Sequence, residues 1–83
     1  MSLYFFHLRD GTDVLLDPEG RDLPGAAAIA ACTLAEARHL ISQDALTGTI
    51  KLNQRIDVED RAGTVVHSLE FQDAVHIDSS AHN

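Results

Sequence analysis

Five histidines and one cysteine are the residues most able to do chemistry in this chain: His7, His39, His67, His76, His82 and Cys32. A zinc site needs three or four converging ligands, with a recognisable local spacing when they share an element. No two histidines here have that spacing. His7 and His76 lie on separate predicted strands and would meet only if those strands paired. The lone Cys32 excludes an internal disulfide and any multi-cysteine cage. It sits among alanines and reads as a small buried apolar residue. Asp10, Asp13 and Asp17 cluster near one turn, but they do not follow the 1, 3, 5, 12 ligand pattern of a calcium loop. Asp57 and Glu59 share one face of a strand and read as a solvated face. Ser42, Ser68, Ser79 and Ser80 have no nucleophile motif around them, and "GTDVLLDPEG" is not a phosphate loop. The expectation is a protein with no catalytic residue, no cofactor and no metal.

Charge narrows the partners. Asp and Glu number 13 against 6 Lys and Arg, a formal net charge of −7. The excess is spread along the chain, with −3 in residues 1–23, −1 in 24–50 and −3 in 51–83. Nucleic-acid binding rests on clustered cations that neutralise phosphates, and no such stripe exists. The expected partner is therefore a protein, and no nucleic acid. No apolar run approaches the roughly 18 residues that span a bilayer. No basic stretch followed by an apolar one opens the chain, so no membrane association is expected and the cytoplasm is the expected compartment.

The elements that would position these residues follow from periodicity. "SLYFFHLR" predicts a strand over residues 2–9. "RDGTD" is a turn with a loop somewhat longer than two residues, and "VLLD" a second strand ending at Asp17. Pro18-Glu19-Gly20 forms a turn, followed by a short extended piece around residues 21–23. Residues 26–47 hold eight alanines among Leu, Ile, Glu, Arg and Gln, a strong helix composition. Ala27, Ala30, Leu34, Ala37, Ile41 and Ala45 make the inward stripe, widened by Ala26, Ile29, Leu40 and Leu46. Gly48 ends the helix, while "LPG" offers no capping side chain at its start. "RIDVED" and "TVVHSLEF" alternate as a third and fourth strand. "AVHID" suggests a short fifth, and "SSAHN" (79–83) has nothing to bury. His67 falls on the apolar side of its strand, as a core-edge histidine with one hydrogen bond. The whole chain, 1–83, is one small α+β domain with an ordered core over about 3–77. One long helix packs on one face of a mainly antiparallel four- to five-stranded sheet, in ββαββ order.

"YFFHLRDG", "LLDPEGRDLP" and "IDVEDRAGTVVHSLEFQDAV" give the chain a likeness. It resembles domain-of-unknown-function family 6894, short bacterial proteins common in alphaproteobacteria. The likeness spans roughly residues 3–77. It is most specific in Tyr4-Phe5-Phe6-His7, in Asp17-x-Glu19-Gly20 before Leu23-Pro24, and in Val58, Asp60, Gly63, Val65 and Val66. It implies no activity, cofactor or catalytic residue. Family members usually carry an acidic or polar residue where Gly25 stands, and an aliphatic one at His67. A looser, fold-level analogy is to HicB-type antitoxins.

One helix covers one sheet face. Along the first strand Tyr4, Phe6 and Leu8 point one way, towards the helix, and Leu3, Phe5 and His7 the other. Leu3 and Phe5, joined by Leu15 from the neighbouring strand and with His7 at the rim, are then expected to form an apolar interaction face. The tail or "TIKLNQ" is the intramolecular alternative as its cover. The expectation is a non-catalytic interaction module, self-associating as a dimer or binding an unknown protein partner through that face. The alternative is an antitoxin-like regulator that binds a basic partner protein.

Overall fold

The computed structural model describes residues 1–78. Its order is β1 (Ser2–Asp10), β2 (Asp13–Leu15), β3 (Arg21–Leu23), α1 (Ala26–Leu46), β4 (Gln54–Glu59), β5 (Val65–Glu70) and a 3₁₀ turn, Phe71–Asp73. The α+β expectation holds. The extended piece at residues 21–23 is a true strand, so the order is βββαββ. All pairings are antiparallel, in the spatial order β2-β1-β4-β5. β3 pairs with the first half of β1, on the side where β2 pairs with its second half.

The β1–β2 loop is shorter than the sequence suggested. Asp10 pairs with Asp13, leaving only Gly11 and Thr12 between the strands. Gly11 takes φ 63° at the first central position, as a type II′ hairpin requires.

The core lies between the helix and the middle of the sheet. Phe6, Ile56 and Val58 rise from the strands to meet Ile29, Ala37 and Ile41, with Phe71 and Ala74 closing one end. Tyr4, Phe6 and Leu8 do face the helix. The helix lies mainly over β4, β5 and the 3₁₀ turn. Its buried stripe is Ile29, Thr33, Ala37 and Ile41, rotated from the expected one. Ala27, Ala30 and Ala45 are exposed and Leu34 is half-buried. Thr33 is tolerated in the core because its hydroxyl donates to the Ile29 carbonyl at 2.6 Å.

Residues 74–78 are not a fifth hairpin strand. The chain turns at Phe71, which carries that ring into the core, and Arg38 Nε donates to the Ala74 carbonyl at 2.8 Å, holding the turn against the helix. His67 is half-buried opposite Val58, and its imidazole has no hydrogen-bond partner among the described residues. The expectation for residues 79–83 lies outside the described residues.

The helix ends as expected, at Thr47 with Gly48 following at φ 89°. It starts at Gly25 with no side-chain cap. A side chain added at Gly25 would meet nothing within 4 Å. Gly25→Asp is therefore expected to stabilise the protein by about 0.3–1 kcal/mol through capping and the helix dipole, while Gly25→Ala should not. Urea unfolding midpoints check it.

Candidate functional site

The sheet face without a helix is not an apolar platform. Strand partners in register place their side chains on one face, so Leu3, Phe5, His7 and Arg9 share it with Arg55, Asp57 and Glu59 of β4 and with Ser68 and Glu70 of β5. Asp57, read from sequence as solvated, is only 5% exposed. Its Oδ1 accepts from Ser68 Oγ at 2.7 Å and lies 2.9 Å from Arg55 Nε, and its Oδ2 accepts from Arg9 Nε. Desolvation pushes the Asp57 carboxyl up, but Ser68, Arg9 and Arg55 together outweigh it and hold the group below the usual carboxylate range. Arg9 and Arg55 face each other directly in register. The carboxylate between them turns a like-charge repulsion into a bridge.

The other half of this face is organised by Asp17. β2 pairs with residues 8–10 of β1 and β3 with residues 2–4, so the edge between them lacks a strand. Asp17 fills it. Its Oδ2 accepts the Phe6 N–H at 3.1 Å, and its Oδ1 accepts the Glu19 and Gly20 N–H groups, each at 3.2 Å. Its own N–H donates to His7 Nδ1 at 3.0 Å. Burial works against the charge, but these N–H donors and Arg21 lower the Asp17 carboxyl from its ordinary value. With Nδ1 accepting, the His7 proton sits on Nε2, which faces Glu59 Oε1 at 3.5 Å. His7 is 9% exposed and stacks against Phe5.

Gly20 closes the turn against β1. A Cβ there would stand 2.9 Å from the Tyr4 carbonyl oxygen and 3.1 Å from side-chain carbons of both Leu3 and Phe5. The Asp17–Gly20 turn therefore approaches Leu3 and Phe5, and both are half-buried. Because φ at Gly20 is also +73°, Gly20→Ala is expected to cost about 1–3 kcal/mol, read as a fall in the thermal and urea midpoints.

Leu15 is not on this face. It pairs with Leu8 and so points to the helix side, while Val14, opposite Arg9, takes the open side. On the helix side the uncovered corner of the sheet leaves a groove of about 340 Å³. Leu8, Leu15, Leu16, Leu40 and the edges of Phe6 and Ile56 line it, with Asp17, Glu19, Arg21 and Glu36 around them. Leu15 and Leu16 are 69% and 65% exposed. Arg21 packs over the Phe6 ring, 5.1 Å from its centroid, and pairs with Glu36 at 3.0 Å. Sequence reasoning missed the groove; its signal was the run of Leu15 and Leu16, too apolar for an edge strand with a wet side.

His39 and His76 are exposed and apart from the groove's lining. No group of three His, Cys, Asp or Glu among the described residues is placed to hold a metal. No helix among them is long and apolar enough to cross a membrane.

No curated protein and no solved structure matches the chain. A family model does match, over residues 3–72, and its span holds β1 with His7, the Asp17–Gly20 turn, and the β4–β5 hairpin with Asp57. By that match the chain belongs to the family described as a domain of unknown function, DUF6894.

Proposed function

We propose that the protein is a bacterial, cytoplasmic, non-catalytic protein-interaction module. The observation that carries this reading is the groove at the β2 corner, between the sheet and the Glu36 and Leu40 side of the helix, where Leu15 and Leu16 stand exposed. The polar groups of the opposite face are spent internally: Asp57 on Arg9, Arg55 and Ser68, and Asp17 and His7 on each other and on β1. They support a rigid scaffold. An antitoxin-like regulator with a basic partner would use the same acidic, apolar corner.

Self-association through the open face around Leu3, Phe5 and His7 is the second reading. It is favoured by Phe5, whose ring keeps part of its surface exposed where no helix covers it. A dimer is the commonest way for a small chain to bury such a patch. The test is sedimentation of the wild type across micromolar concentrations, with Leu16→Ser and Phe5→Gln alongside, and affinity purification with each bait. Glutamine is preferred to glutamate at Phe5, because Glu59 stands directly opposite. An assembly, or a stoichiometric partner, lost with Leu16→Ser supports the groove. Loss with Phe5→Gln alone moves the contact to the open face. A monomer that retains no partner with any bait contradicts the interaction reading.

A further inference from the structure

We infer that the groove takes an apolar segment flanked by lysine or arginine from a different protein, and not a second copy of this chain. The inference rests on the interaction reading above and specifies the partner.

The floor asks for large apolar side chains. Leu15 and Leu16 stand exposed side by side above half-buried Leu8 and Leu40, in a groove whose exposed lining is as much polar as apolar. The rim asks for cations. Of the carboxylates lining the groove, Asp17 is engaged by backbone N–H groups and Glu36 by Arg21, which leaves Glu19 facing outward, with Asp13 at the start of β2. The one cation there, Arg21, is already held by Glu36 and the Phe6 ring. Residues 10–22 carry five carboxylates and one arginine, of which Asp22, opposite Leu3, belongs to the open face.

The chain's own cations decide against a second copy. Arg9 and Arg55 are held by Asp57, Arg21 by Glu36, Arg38 by the Ala74 carbonyl, and Lys51 lies 4.0 Å from Asp10. Of the six, that leaves Arg61, in the turn between β4 and β5. No segment among the described residues presents apolar residues between free basic ones. Two copies meeting groove to groove would instead oppose their acidic rims, and like charges closer than about 8 Å repel with little screening in physiological salt. An amphipathic helix is the form that presents apolar anchors on one side and cations along the flanks.

The test is a two-dimensional ¹⁵N–¹H NMR titration of the full chain with three designed helical peptides. One alternates leucine anchors with lysine, one keeps the leucines but replaces lysine by glutamate, and one keeps the lysines but replaces leucine by serine. The expected result is binding of the leucine–lysine peptide alone, with shifts gathered at Leu8, Leu15, Leu16 and Leu40. Leu16→Ser should weaken it by at least about tenfold, a difference of about 1.4 kcal/mol. Glu19→Lys should weaken it too. Both sites are exposed, and an unchanged spectrum of the free variant confirms the fold. Equal binding of the glutamate peptide would overturn the charge assignment and leave the groove standing. Equal binding of the serine–lysine peptide would reduce the site to diffuse acidity and overturn the inference. Shifts on the open face, or no binding by any peptide, would overturn it as well. A dimer broken by Leu16→Ser would show a second copy in the groove: the inference would fail and the interaction reading would survive.

Discussion

Replacing Phe71 by alanine is expected to remove about 3–5 kcal/mol of stability. The ring is fully buried at the start of the 3₁₀ turn, in one cluster with Ile56, Val58, Ala37 and Ala74. An 83-residue domain has a total stability of only about 4–12 kcal/mol at typical per-residue values. The variant should therefore lose at least about a quarter of that total. Urea titration by circular dichroism reads the loss. Leu34→Ala, at a half-buried position beside the same core, should cost clearly less. A loss under about 1 kcal/mol at Phe71 is the size of a surface change, and would mean that this ring does not close the core.

Asp17→Ala is expected to cost about 2–4 kcal/mol. Three backbone N–H groups lose a charged acceptor, and hydrogen bonds to charged groups contribute about 1.5–3 kcal/mol each. The lower total allows for water replacing the carboxylate at the more exposed Glu19. The same substitution changes the pH profile. Burial disfavours the charge on Asp17 and on Asp57, yet hydrogen bonds and arginines leave both carboxyls below the ordinary value of 3.8. A depressed folded-state value means stability that is fully present above the unfolded value and lost as pH falls through the folded one. The wild type should hold its stability from neutral pH down to about 4 on account of these two groups, then lose it steeply below. Asp17→Ala should be less stable near neutrality and show a shallower acid limb, because Asp57 alone remains. An acid limb unchanged in Asp17→Ala would show that the carboxylate does not hold the β1 edge.

What the sequence made legible was the regular part. The alternation of Tyr4, Phe6 and Leu8 against Leu3, Phe5 and His7 gave the right faces because a pleated strand allows only one phase at a time. Leu15 was misplaced by a single residue. A loop one residue longer would set Leu15 opposite Arg9 on the open face; the observed two-residue loop sets it opposite Leu8. That one step moved the candidate apolar surface to the other side of the sheet. Asp57 was read as solvated because an acidic residue alternating with Ile56 and Val58 looks like the wet side of a strand. Its partner Arg9 lies 48 residues away, beyond any local pattern. Asp17 carries the signature of a turn residue, and it is one. Its further work on the Phe6 N–H and His7 exists only because β2 and β3 leave a gap on β1. Along the helix, alanines on every side gave the stripe no direction, so Thr33 was overlooked while Ala27 and Ala30 were turned inward.

The most direct measurement is crosslinking inside cells that make the protein, with a photoreactive amino acid placed at Leu16 in one experiment and at Phe5 in another. The expected result is a discrete adduct to a different protein from the Leu16 position, weakened by Glu19→Lys, and none from Phe5. An adduct from Phe5 alone, an adduct to a second copy of this chain, or no adduct from either position would contradict a partner seated in the groove.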